Sequence, residues 1–263
     1  MIQEFNYHTH TKRCGHATGE DEEYVLAAIE NGYKRIGFSD HAPYRLGHDK
    51  NERMDKEEFD EYIASITQLA DKYKDQIDIR IGLECEFFEE QLDELLEYKD
   101  RLDYIILGQH EAALRGYSFY EPNSDEAILH YAHLIQKACK MHFPDLLAHP
   151  DLFMYATPEW TPACEQATRI ICESAVEANI PIEVNLNGLR YGKRQIGNEL
   201  RYTYPYRKFW EIASEYPVKV VYGLDAHTPE KFADFDCFKI VQKEILNGIQ
   251  LDFLTDYTIE KKR

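Results

Sequence analysis

The chain has 263 residues, with 48 Asp and Glu against 30 Lys and Arg, a formal charge of −18. Hydrophobic residues at 44% and aromatics at 13% exclude a disordered chain, and the length allows a core of ordinary size. The acid excess argues against sequence-independent binding of nucleic acid, which needs a basic face, and against a membrane-surface role.

No run of about 18 apolar residues predicts a transmembrane helix. The start, MIQEFNYHTH, lacks a basic stretch followed by an apolar one, so no signal peptide is expected. Six scattered cysteines without a CxxC pair read as reduced thiols, and a cytoplasmic location is expected.

Short apolar runs alternate with longer helical patterns. Residues 2–7 predict a first strand, and 20–31 a helix with acids in its first turn and Gly32 as its stop. A second strand over 35–38 ends at Ser39-Asp40-His41. A helix over 57–73 carries Phe59, Tyr62, Ile63, Ile66, Leu69 and Ala70 along one stripe. A third strand over 77–83 ends at Glu84. A helix over 89–98 precedes a fourth strand, 104–107, which ends before His110. A helix over 125–142 leads to a fifth strand, 146–148, and His149-Pro150. A helix over 163–178 leads to a sixth strand, 182–186, and Asn187. A helix over 209–215 leads to a seventh strand, 219–222, with Asp225 beyond it and a closing helix over 237–247.

These are seven βα units without a linker or repeat, so one domain over 1–263 is expected. Such alternation implies parallel strands covered by helices, either an open doubly wound sheet or a barrel. No GxGxxG or GxxxxGK follows a strand, so the usual dinucleotide and P-loop readings lack support.

Polar residues concentrate where strands end. His8, His10 and His16 follow the first strand, His41 the second, Glu84 the third, His110 the fourth, His149 the fifth, and Asp225 and His227 the seventh. One strand-end histidine reads more simply as a hydrogen-bonded structural residue. Seven of the chain's 11 histidines at one rim have no comparable explanation. Histidine and carboxylate without thiolate suit Zn²⁺, Mn²⁺ or Fe²⁺. Nine ligands are too many for one ion, so two to three divalent transition-metal ions sharing bridging groups are expected, with Glu84 the natural bridge.

The segments His8-Thr9-His10, Cys14-Gly15-His16-Ala17, Ser39-Asp40-His41-Ala42-Pro43, Gly82-Leu83-Glu84, Gly108-Gln109-His110, Ala148-His149-Pro150-Asp151 and Gly223-Leu224-Asp225-Ala226-His227 resemble the PHP (polymerase and histidinol phosphatase) superfamily. The CxHA and SDHAP pieces are most similar to its monofunctional histidinol-phosphate phosphatases. The resemblance implies a distorted seven-stranded (β/α) barrel with a trinuclear metal site at the C-terminal rim. It implies one ion at His8, His10, Glu84 and Asp225, a second at Glu84, His110 and His149, and a third at His16, His41 and His227. The implied reaction is hydrolysis of L-histidinol phosphate by a metal-activated water, in histidine biosynthesis.

Asp225 or a nearby histidine such as His227 is a candidate for the proton needed by the leaving alkoxide. Arg190, after the sixth strand, matches a family arginine and is the first candidate for the phosphate. Arg115, Lys193 and Arg194 are further candidates. Glu111, Tyr117 and Asp151 lie in loops suited to the amine or imidazole. The expected partner is a small-molecule phosphomonoester, with no nucleic acid and no membrane, and the oligomeric state stays open. Two other readings remain: a PHP phosphoesterase for nucleotides or phosphotyrosine, and a non-catalytic metal-binding module.

Overall fold

The computed structural model describes residues 3–44 and 52–261. The chain lays down strands β1 (Phe5–Asn6), β2 (Arg35–Phe38), β3 (Asp78–Cys85), β4 (Tyr104–Leu107), β5 (Leu146–Leu147) and β6 (Ile182–Asn185). A hairpin of β7 (Arg194–Ile196) and β8 (Glu199–Arg201) follows, then β9 (Lys219–Gly223) and β10 (Asp252–Phe253). The helices are α1 (Asp21–Glu30), α2 (Phe59–Tyr73), α3 (Leu92–Arg101), α4 (Asp125–Lys140), α5 (Pro162–Ala178), α6 (Arg207–Ala213) and α7 (Asp236–Glu244). The seven expected helices and seven expected strands are all present, with ends shifted by a few residues. Residue 2, the expected start of the first strand, lies outside the described residues.

The large sheet runs β1-β2-β3-β4-β5-β6-β9-β10, and every pairing in it is parallel. Thr9 bridges Ala226 in parallel, with His10 N donating to Ala226 O at 2.9 Å and Ala226 N to His8 O at 3.1 Å. That bridge joins the first strand to β9 at the rim and curls seven strands into a distorted barrel. Side chains close the same seam lower down: Gln3 exchanges hydrogen bonds with the Tyr222 backbone, and Asn6 Oδ1 accepts from Leu224 N. The antiparallel β7–β8 hairpin and the eighth parallel strand, β10, are additions to the expected pattern. Strands of two or three residues are too short to show alternation.

Two apolar layers hold the sheet. Ile36, Phe38, Ile79, Ile81, Ile105, Leu107 and Leu147 pack with the helices. Phe5, Tyr7, Tyr104, Ile106, Leu146, Ala148 and Val221 form a separate cluster on the opposite face, as two-residue spacing along a strand requires. Gly37 and Gly82 leave room for the Tyr104 side chain: a Cβ would meet its hydroxyl at 2.3 Å from Gly37 and its ring at 2.5 Å from Gly82. Glu84 stands two residues beyond Gly82 and so continues that face upward into the rim.

Local chemistry sets the helices. α4 starts at Ser124, whose hydroxyl accepts from Ala127 N, and ends among Lys137 and Lys140. α5 starts with Pro162 after Thr161 and ends at Asn179 in the left-handed region. No helix among the described residues is long and apolar enough to cross a membrane.

Candidate active site

The C-terminal rim of the barrel brings together all nine expected histidines and carboxylates. Eight are buried; His16 is the exposed one. Glu84 lies at their centre. Its Oε2 is 3.3 Å from both His8 Nε2 and His10 Nε2, and 3.1 Å from His41 Nδ1. Its Oε1 is 2.9 Å from His149 Nε2 and 3.4 Å from His110 Nε2. The two oxygens therefore face two different groups of side chains.

Asp225 Oδ1 completes the first group, 3.3 Å from His10 Nε2 and 3.6 Å from His8 Nε2, while those two nitrogens are 3.1 Å apart. Ligands on a tetrahedral ion at 2.0–2.1 Å stand about 3.3 Å from one another. Five of the distances among these four atoms, 3.1–3.6 Å, are close to that spacing. The second group is a triangle of Glu84 Oε1, His110 Nε2 and His149 Nε2, with the two nitrogens 3.2 Å apart. In the third, His16, His41 and His227 bring ligand atoms within 4.8 Å of one another. Asp225 Oδ1 and His41 Nδ1 are buried without a hydrogen-bond partner. Buried polar atoms are seldom left so, and a cation among them satisfies both. The residues fit divalent ions.

Backing groups hold the rings. His8 Nδ1 meets Glu183 at 2.9 and 3.1 Å, and His110 Nδ1 meets Glu86 at 2.9 Å. Such contacts fix the tautomer and direct Nε2 into the site. Asn185 and Asn187 donate to Asp225 Oδ2 at 3.2 and 3.0 Å. Glu86 is itself bound by Arg53 and by the Tyr44 hydroxyl. Sequence reasoning missed Glu86, Glu183, Asn185 and Arg53. Two signals were present: Glu86 shares a strand face with Glu84, and Glu183 is a carboxylate inside an apolar strand.

Two glycines make room for these carboxylates. A Cβ at Gly108 would lie 1.9 Å from Glu84 Oε1, and one at Gly223 would lie 1.9 Å from Glu183 Oε2. His149 and Asp225 adopt φ of 27° and 47°, a region costly for residues with a Cβ and often occupied at functional sites. Burial works against ionising Glu84, yet the positive field of His8, His110 and His41 holds its carboxyl well below the usual range. Burial pushes the Cys14 thiol up to about 12. Its sulfur lies within 4.8 Å of His10 and His227 ligand atoms.

A cavity of about 340 Å³ opens on the cluster, lined by His16, His41, Glu84, His110, Asp225 and His227. Arg53, Arg190, Glu52, Glu111 and Tyr120 also line it. Arg190 thus lines the same cavity as the cluster, its Nη2 3.2 Å from the Tyr191 hydroxyl. Glu111 is also in the wall, half-buried.

The other candidate cations are not among the lining residues. Lys193 is bound to Glu244 at 2.8 Å and lies over Tyr202, and Arg194 lies over Tyr191 at the start of β7. Arg115 is exposed in the tight turn closed by the Glu111–Ser118 bridge. Tyr117 is exposed beside His130. Asp151 is buried, accepting from Tyr206 N and Trp210 Nε1, so its place is structural.

The chain is similar to known proteins. The PHP domain profile matches residues 6–187. A "Probable histidinol-phosphatase" of Deinococcus radiodurans is 28% identical, over 86% of this chain and 89% of its own. One from Schizosaccharomyces pombe is 25% identical, over 85% and 80%. The structure of the histidinol phosphate phosphatase of Lactococcus lactis shares the fold, with a TM-score of 0.73 at 16% identity over 97% of this chain and 96% of that one. With more than half of its length matched by the profile, and with this barrel, the chain belongs to the PHP domain family.

Proposed function

We propose that this chain hydrolyses L-histidinol phosphate to L-histidinol and phosphate, as a step in making histidine. It is a metal-dependent phosphomonoesterase. The observation that carries the reading is Glu84, whose two carboxylate oxygens divide between two groups of histidines under one cavity. A purely structural metal site needs fewer ligands and no open side. The substrate is supported by the two relatives named for histidinol phosphatase over most of their length. The Lactococcus enzyme was solved with zinc, L-histidinol and phosphate.

In this reading His8, His10, Glu84 and Asp225 hold one divalent ion, Glu84, His110 and His149 a second, and His16, His41 and His227 a third. Zn²⁺, Mn²⁺ or Fe²⁺ suits these donors. When bound, such ions supply Lewis-acid charge for phosphate oxygens and lower the pKa of water.

The protein's own part is orientation. Glu183 and Glu86 fix the rings of His8 and His110. Arg190, in the cavity wall, pairs with the phosphate oxygens, where a planar fork gains strength as negative charge builds. Glu111 offers a carboxylate to the ammonium of the alcohol product. Asp225 and His227, members of the cluster that line the cavity, are the groups within reach to hold a proton for the leaving oxygen.

A substrate panel on metal-replete protein tests the proposal. Histidinol phosphate should exceed nucleotides, phosphotyrosine peptides and glycerol phosphate in kcat/KM by at least tenfold. Equal or better turnover of any of these would move the substrate elsewhere within the family.

A further inference from the structure

The three ligand groups do not carry equal charge. The first holds two carboxylate oxygens, Glu84 Oε2 and Asp225 Oδ1, and Glu183 stands behind His8 as a third carboxylate. Glu183 is fully buried, and its partners are His8 and the uncharged amide of Asn185. Among the described residues, no Lys or Arg ion pair reaches Glu84, Asp225 or Glu183.

The second group shares only Glu84 Oε1. Its backing carboxylate, Glu86, is engaged by the Arg53 guanidinium at 3.2 Å and by the Tyr44 hydroxyl at 2.8 Å. The third group is three imidazoles, His16, His41 and His227; the carboxylates near it, Glu84 Oε2 at 3.1 Å from His41 Nδ1 and Asp225 Oδ1 at 3.2 Å from His227 Nδ1, are the oxygens the first group already holds.

Interior charges act across several ångströms with little screening. A carboxylate behind an imidazole makes that ring a stronger ligand, and a cation paired to the carboxylate cancels much of the effect. We propose that Glu183 is a positioning residue that makes His8, His10, Glu84 and Asp225 the tightest holder of a divalent ion, and that Glu86, neutralised by Arg53, leaves the His110–His149 group weaker. Ions then leave in a set order: the three-histidine group first, the His110–His149 group next, the Glu183-backed group last. This rests on the metal reading above.

Glu183→Gln separates charge from orientation. The amide oxygen still accepts from His8 Nδ1, but the negative charge is gone. Glu86→Gln does the same behind His110 and leaves Arg53 uncompensated.

The experiment is release, not turnover. Zinc-loaded full-length protein is held in dilute chelator, sampled over time, desalted and counted by elemental analysis. Wild type should lose zinc in steps, with one ion per chain outlasting the others. Glu183→Gln should release that last ion at least tenfold faster and leave the earlier steps unchanged. Glu86→Gln should speed the middle step alone.

Release of all ions at one rate in wild type overturns the ranking. So does a Glu183→Gln variant that changes only the early steps or none. If circular dichroism shows that Glu183→Gln does not fold, Glu86→Gln decides, and a faster last step there overturns the ranking. Failure to take up any zinc overturns the metal reading with it. A persistent ion in a protein that does not cleave histidinol phosphate overturns the substrate reading alone.

Discussion

His16 Nε2 and His227 Nε2 face each other at 3.0 Å, while the Nδ1 atoms of the same rings meet Cys14 O at 2.9 Å and Asp225 O at 3.0 Å. A carbonyl oxygen only accepts, so each Nδ1 carries the hydrogen. Two neutral rings would then oppose lone pairs at Nε2, and a shared cation removes the conflict. The same approach recurs between His8 and His10 at 3.1 Å and between His110 and His149 at 3.2 Å. Chelation should therefore destabilise the fold. Ion binding at a hundredfold over Kd is worth about 2.7 kcal/mol. For a chain of this size the melting temperature should fall by roughly 5–10 °C. Calorimetry with and without chelator checks this, and an unchanged Tm would contradict it.

Glu84→Gln should cripple turnover far more than folding. A neutral amide cannot bridge two cations as a carboxylate does. Backing residues typically cost 10–100-fold when changed, and the bridge should cost at least about a hundredfold. Steady-state kinetics beside ion counts tests this; near-normal kcat with a full ion complement would remove Glu84 from the role.

Gly108→Ala tests the room left for that carboxylate. Gly108 has no positive φ, so the backbone accepts alanine. The new methyl would nevertheless meet Glu84 Oε1 at 1.9 Å and its carboxyl carbon at 2.7 Å. Glu84 must swing out of line, so bound ions and turnover should fall together, by at least about tenfold in kcat/KM. A variant with the wild-type ion count and rate would show that Glu84 has slack.

Arg190→Ala should lower kcat/KM by roughly two to four orders of magnitude, about 3–5 kcal/mol, with metal content unchanged. Arg190→Lys should recover part of the loss, since an ammonium lacks the planar fork. Efficiency near wild type in the alanine variant would turn attention to Arg53, the other arginine among the described residues in the cavity wall.

Cys14→Ser should leave activity largely intact. The thiol is fully buried and pushed up to about 12 by that burial, so at neutral pH it stays protonated. Native protein should accordingly resist alkylation at Cys14. A tenfold loss of metal affinity in the serine variant, about 1.4 kcal/mol, would make the sulfur a ligand.

The nine candidate ligands were legible because each follows a strand, and a parallel barrel gathers its strand ends at one rim. Glu84 and Asp225 stood out as isolated acids after apolar runs. The backing carboxylates were harder to see. Glu183 lies within β6, where an acid in an apolar strand is a signal whose meaning is hidden until the partner ring of His8, 175 residues away, is known. Arg53 sits in the long connection between β2 and α2, and only tertiary packing brings it to Glu86. The same limit applied to Arg115, Lys193 and Arg194, whose directions depend on a tight turn and on the hairpin near Tyr191 and Tyr202. Loop course is set by contacts far along the chain, while strand-end position is set by local pattern.

A Glu84-centred cluster of divalent ions is proposed to carry phosphomonoester hydrolysis. The most direct measurement counts ions per chain and phosphate released from L-histidinol phosphate on one sample, through chelation and stepwise return of metal. Two to three ions at saturation are expected, with loss of phosphate release as they leave and its return as they are restored. Phosphate release that persists in ion-free protein, or a saturated count of one ion or none, would contradict it.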